Sequence, residues 1–144
     1  MRMTLWERAR TWLGRKRQPE HLRRGKLGEQ LAKRHLRGLG LKFLTANFRS
    51  PRGEIDLVFR DGDCLVFVEV KTRSSEKWIR PAAAVNQRKR RLLSRTAFDY
   101  LRRLKDRQVR IRFDVVEVLL PEGAKPEVRH LPNTFSLSPP YRHG

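Results

Sequence analysis

Two runs of alternating apolar and polar residues, Glu54 to Phe59 and Cys64 to Val70, flank an Asp61-Gly62 step. Runs rich in valine, isoleucine and phenylalanine on either side of Asp-Gly predict a β-hairpin, because a two-residue type I′ turn needs positive φ at both central positions. With Asp61 and Gly62 as the loop, Arg60 faces Asp63 and Glu54 faces Glu69. Side chains alternate along a strand and cross-strand partners share a face. One face therefore carries Ile55, Leu57, Phe59, Cys64, Val66, Val68 and Val70, and the other Glu54, Asp56, Val58, Leu65, Phe67, Glu69 and Lys71. Both faces are apolar near the turn, as in interior strands covered on both sides. The second face becomes ionic at the far end, where three carboxylates and a lysine converge.

The same patterning predicts the other elements. From His21 to Leu39, Leu27, Gly28, Leu31, Ala32, His35, Leu36 and Leu39 fall on one helical face, and Gly38 and Gly40 supply a stop. Lys42 to Phe48 reads as a strand, and Ser50-Pro51-Arg52-Gly53 as the turn into the hairpin. A second helix is expected to begin near Pro81 and run to Leu104, with Ala84, Val85, Leu92, Leu93, Ala97, Tyr100, Leu101 and Leu104 on its apolar face. Val109 to Leu120 reads as a strand, bulged near Asp114 to Val116 and parallel to an earlier one, since it follows a helical crossover. Val128 to Leu131 adds an edge strand. The expected organisation is a basic extension over residues 1–20 with a short amphipathic helix, one domain over 21–131, and a flexible tail over 132–144.

Charge changes the picture. The 144 residues carry 34 Lys and Arg against 15 Asp and Glu, a formal net charge of +19. Such an excess, spread over helices and loops, is the footprint of a polyanion binder; nucleic acid fits best, because a long phosphate backbone rewards many distributed cations by counterion release. An anionic membrane surface is the weaker competitor, and no stretch approaches the roughly 20 consecutive apolar residues of a membrane span, so the cytoplasm is the expected compartment. One cysteine, Cys64, on a predicted buried strand, excludes an intrachain disulfide and a cysteine-rich zinc site. The four histidines show no metal-ligand spacing.

The residues that carry chemistry lie at the ionic end of the hairpin. Glu54 opposite Glu69, with Asp56 diagonal to it, is electrostatically unfavourable. A hard cation such as Mg²⁺, which prefers oxygen ligands, is the simplest compensation, and Lys71 supplies part of it. Solvated strand-end acids with a surface Glu69–Lys71 pair are the competing reading. Glu29, at the edge of the first helix's apolar face, is either solvated or aimed along the sheet at these acids. For phosphate contact the candidates are Arg52 at the hairpin entrance, Arg73 and Lys77 in the loop leaving the acidic end, and Arg88, Lys89 and Arg91 on the second helix. Asp114 reads as structural.

Gly28-Glu29, Gly53-Glu54-Ile55-Asp56-Leu57, Glu69-Val70-Lys71 and Arg112-Phe113-Asp114-Val115, in this order and on these elements, resemble the bacterial YraN (UPF0102) family. Beyond it, the set resembles the PD-(D/E)XK nuclease superfamily, to which archaeal Holliday junction resolvases belong. The resemblance covers about residues 22–120. It implies an α/β, restriction-endonuclease-like αβββαβ core, a mixed central sheet flanked by helices. It further implies that Asp56, Glu69 and Glu29 are ligands of Mg²⁺ or Mn²⁺ and that Lys71 is a catalytic lysine. The activity expected is metal-dependent hydrolysis of DNA phosphodiesters, with branched or structured DNA and a homodimer suggested by the resolvases. Isoleucine, not proline, precedes Asp56. A non-catalytic nucleic-acid-binding adaptor in recombination or repair is the alternative.

Overall fold

The computed structural model describes residues 2, 4, 19–74, 85–104 and 109–137. Its elements are α1 (Glu20–Gly38), β1 (Lys42–Ser50), β2 (Gly53–Asp61), β3 (Cys64–Arg73), α2 (Gln87–Leu104), β4 (Arg110–Leu119) and β5 (Glu127–Phe135). The strands form one sheet in the order β1-β2-β3-β4-β5. The first three make an antiparallel meander, β4 runs parallel to β3 after the α2 crossover, and β5 returns antiparallel along the far edge. This is the expected αβββαβ order with one added strand.

Each helix covers one face. Ala32 and Leu36 of α1 bury against Leu57, Phe59, Val66, Val68, Val116 and Val118. Leu93, Ala97 and Leu101 of α2 bury against Val58, Leu65, Phe67, Phe113 and Val115. Because both faces are covered, β2 and β3 carry near-continuous apolar runs, as parallel and interior strands must. Among the described residues no helix is long and apolar enough to cross a membrane.

Three local devices fix the geometry. Gly40, at φ +94°, ends α1. Its N–H donates to the Arg37 carbonyl and the next N–H, of Leu41, to that of Leu36, the paired closure that a left-handed glycine permits. Gly28 lets α1 approach β3, since a Cβ there would sit 1.9 Å from Thr72 Oγ1. Asn86 caps α2, its Oδ1 accepting from the Lys89 N–H.

The hairpin departs from the expected register. Asp61 pairs with Cys64 and Leu57 with Val68, so the loop residues are Gly62 and Asp63. Gly62 takes φ +59°, while Asp63 stays out of the positive-φ region. A loop with positive φ at its first position only puts glycine first, which moves the turn by one residue and the partner of each strand residue by two. The shift is even, so the faces of Leu57, Val58, Phe59, Leu65, Val66, Phe67 and Val68 survive it. Glu54 instead pairs with Arg49 of β1, whose guanidinium Nε lies 3.5 Å from its carboxylate. Two other boundaries move: α2 begins at Gln87, where Asn86 offers a cap, with residues 81–84 outside the described set, and β5 continues to Phe135, whose ring stacks on Phe113 at 4.5 Å. The basic extension likewise lies almost wholly outside the described residues.

Asp114 is fully buried and accepts from Arg112 Nε at 3.1 Å and the Asn133 N–H at 2.9 Å, with His130 Nε2 at 2.7 Å. Asn133, at φ +50°, marks the register break where β5 passes this carboxylate. Burial raises the Asp114 pKa, but the bonds from His130, Asn133 and Arg112 outweigh it and hold it below 3.8. Asp114→Asn is therefore expected to cost roughly 3 kcal/mol in urea denaturation at pH 7. The difference should shrink as pH falls below 3.8, because the unfolded chain then binds protons that the folded carboxylate resists. Gly28→Ala should also lower the midpoint, since Thr72 must move or α1 must lift from β3.

Candidate metal and nucleic-acid site

The site is built at the end of the hairpin away from its turn, where the regular pleat fails. In β1, Asn47 takes φ +53°, and the β1–β2 pairing passes from Ala46–Leu57 to Phe48–Ile55 around it. Leu57 packs on the α1 side, whereas Ile55, two residues away, packs on the α2 side. A regular strand would keep both on one face. The inversion falls on Asp56 and overturns the expectation that Ile55 shares a face with Leu57. Asparagine tolerates the left-handed region better than most residues, so Asn47 is the local cause the chain provides.

At this kink Asp56 turns its side chain along the sheet. Its Oδ2 accepts the Val70 N–H at 2.8 Å. A side chain thus satisfies a strand donor where the β2–β3 ladder has stopped at Leu57–Val68. Beside it Glu69 is buried, 6% exposed. Lys71 Nζ lies 3.4 Å and Lys89 Nζ 3.5 Å from its Oε1. Glu29 of α1, Asp56 and Glu69 line one cleft of about 640 Å³ together with Arg24, Thr72 and Ser74. Arg24 ties α1 to the sheet here by donating to the Leu120 carbonyl at 2.9 Å.

The electrostatics follow from this packing. Burial, then the charge of Glu69, then that of Glu29 push the Asp56 carboxyl up to about 7, against the opposing bond from Val70. Glu29 is raised by burial and by Glu54 and Glu69, while a hydrogen bond from Asn47 and the charge of Lys26 oppose. Asp56 and Glu29, both raised, thus share one concavity with Glu69. Among the described residues no group of three or more His, Cys, Asp and Glu forms a ready metal cage. A magnesium-type ion, however, takes one or two carboxylates and fills its other positions with water and substrate oxygens, and the Asp56–Glu69 pair meets that requirement.

The expected site residues separate by position. Glu29, Asp56 and Glu69 come together at the cleft, with Lys71 and Lys89 on Glu69. Arg73 is half-buried, and its buried Nε has no hydrogen-bond partner among the described residues. Arg88 and Arg91 are exposed on α2. Arg52 is held through its Nε by Asp99 at 3.1 Å, so it serves the packing of α2 on the hairpin entrance. That contact holds the Asp99 carboxyl below its ordinary range. Lys77 lies outside the described residues. Asn47 was not anticipated; an asparagine within a strand-like run was the available signal.

A model of the Uncharacterised protein family UPF0102 matches residues 28–118, the span that holds α1 from Gly28, all of β1 to β3, α2 and nearly all of β4. The chain is 43% identical over 115 residues to a UPF0102 protein of Trichlorobacter lovleyi, covering 79% of this chain and 91% of the relative. It is 42% identical over 114 residues to one of Geotalea daltonii, covering 79% and 90%. Against one of Syntrophus aciditrophicus it is 44% identical over 123 residues, covering 85% and 95%.

Because Asp56 ionises near 7 in the fold and near 3.8 in the unfolded chain, the unfolded state loses its proton first and stability falls as pH rises between these values. Asp56→Asn removes that penalty. In thermal or urea denaturation without divalent cations it should match the parent near pH 4 and exceed it at pH 8, with about 4 kcal/mol as the ceiling.

Proposed function

The chain belongs to the UPF0102 family, and from its cleft of mutually repelling carboxylates we propose that it is a Mg²⁺- or Mn²⁺-dependent endonuclease acting on DNA phosphodiesters, branched or structured DNA included. The single observation that carries this reading is the Asp56–Glu69 pair, two hard oxygen donors, one half-buried and one buried, side by side at a kinked strand end beside a lysine. The α1-β1-β2-β3-α2-β4 order is also that of the PD-(D/E)XK nucleases that the Asp56…Glu69-Val70-Lys71 motif resembles.

In this reading Asp56 and Glu69 hold the ion through oxygen, and Glu29 completes the acidic wall from α1. The ion, when bound, supplies charge neutralisation at the phosphate and lowers the pKa of water. Val70 holds Asp56 in place through its N–H, so the carboxylate needs little reorganisation to bind. Lys71, at the cleft edge, orients the attacking water or meets charge developing on the phosphate. Arg73, whose buried Nε has no partner among the described residues, grips a neighbouring phosphate, and Lys77, Arg88, Lys89 and Arg91 extend that grip. Arg52 contributes indirectly, through Asp99.

One observation favours the adaptor: two lysines already neutralise Glu69. The readings separate on turnover. Purified protein with labelled duplex, flap and four-way-junction DNA should cleave at least one substrate in Mg²⁺ or Mn²⁺. Asp56→Asn, Glu69→Gln and Lys71→Met should each lower the rate by about 10²-fold or more. Nucleic-acid binding without cleavage of any substrate supports the adaptor, and cleavage that survives both acid substitutions contradicts the proposed site.

A further inference from the structure

The cations of this protein divide sharply by partner. Arg49, Arg112 and Arg129 are each ion-paired with a carboxylate, as are Arg52 and Lys89. By contrast, Lys33, Arg34 and Arg37 of α1, Lys42 of β1, and Arg88, Arg91 and Arg95 of α2 have no carboxylate within ion-pair distance among the described residues. Six of these seven gather on two helix faces. Residues 33, 34 and 37 lie on one side of α1, and residues 88, 91 and 95 on one side of α2. Ala32 and Leu36 point α1 at the sheet, and Leu93, Ala97 and Leu101 do the same for α2. At 100° per residue both basic sets look away from the sheet.

The α1 set is also shaped. Lys33, Arg34 and Arg37 line one concavity, and Arg37 with Lys42 and Phe43 lines a second, so the two share Arg37. Neither is lined by a carboxylate. Lys33 Nζ sits 3.8 Å from the centre of the Phe43 ring, which holds the ammonium at the surface without neutralising it. β1 is the sheet edge, so among the described residues no further strand crowds this groove.

We propose that α1 and β1 form a second phosphate-binding face, separate from the α2 ridge, and that the protein thereby holds two nucleic-acid segments on opposite sides of its sheet. The inference rests on the reading that the chain binds nucleic acid and not on its cutting it. Like charges gathered in a groove repel one another, and a phosphate backbone relieves that repulsion while releasing counterions. The two ridges face away from each other across two helices, each about 10 Å across, with a sheet between. A straight segment lying along one cannot reach the other.

The test uses the full chain with two short duplexes, one carrying a donor dye and one an acceptor. Binding of a single duplex is read by anisotropy and bridging of the two by energy transfer. The wild type should bridge. Lys33→Gln/Arg34→Gln/Arg37→Gln should still bind one duplex through the α2 ridge, within about threefold of wild type, and lose bridging, whereas Arg88→Gln/Arg91→Gln/Arg95→Gln, which removes α2 phosphate contacts, should bind its one duplex more weakly and also lose bridging. All the substituted side chains but Lys33, which is half-buried over the Phe43 ring, are exposed, and unchanged circular dichroism melting confirms that each variant folds. Bridging that survives the α1 substitutions overturns the proposal. So does a 1:1 complex whose single-duplex affinity falls equally in both variants, because the ridges then serve one wrapped segment. Loss of binding to phosphatidylglycerol vesicles with bridging intact assigns α1 to a membrane surface and overturns it too. A wild type that binds no nucleic acid refutes the underlying reading directly and this inference with it.

Discussion

Two carboxylates side by side at the end of a hydrophobic sheet, Glu69 buried and Asp56 half-buried, are the constraint around which the molecule is arranged. Asp56 and Glu69 are placed there by neighbouring strands and cannot move apart without breaking the Asp56–Val70 hydrogen bond or pulling Glu69 from Lys71 and Lys89. Their repulsion disfavours the fold near neutral pH unless positive charge is supplied. Glu29, brought over β3 by the close approach at Gly28, adds to the repulsion. A scaffold built for stability alone would have put apolar side chains at these positions; local conflict of this kind is characteristic of functional sites.

The rest of the fold supplies what that site needs. The meander carries both acids on adjacent strands, and the parallel β3–β4 pairing with a helix on each face makes the sheet rigid. Asp114 shows the contrast between a structural and a functional carboxylate. Asp114 is fully buried and Asp56 half-buried, but Asp114 is met by an arginine, a histidine and a backbone N–H, and its pKa falls. Asp56 is met by one N–H and two acids, and its pKa rises. Desolvation pushes both upward; the partners decide which one is available to a cation.

Element types and order were legible in the sequence because periodicity reports burial directly: Leu57, Phe59, Val66 and Val68 on one face and Val58, Leu65 and Phe67 on the other follow from alternation alone. The convergence of Asp56, Glu69 and Lys71 at one end was legible for the same reason, although Glu54 was given Glu69 as its partner instead of Arg49. That error came from the turn, where Asp61-Gly62-Asp63 offers two loops and only the backbone conformation of Gly62 chooses between them. The face change at Ile55 was not legible, since it depends on Asn47 in another strand. Nor was the fate of Arg52: a basic residue beside a turn looks free until Asp99 is brought to it by the packing of α2.

The central claim, that Asp56 and Glu69 together take a divalent cation, is tested most directly by calorimetric titration of the full chain with Mn²⁺ at pH 7.5, without nucleic acid. The account predicts saturable binding that Asp56→Asn and Glu69→Gln each weaken strongly and that Asp114→Asn, if folded, leaves in place. No saturable binding, or binding indifferent to both acid substitutions, would contradict it.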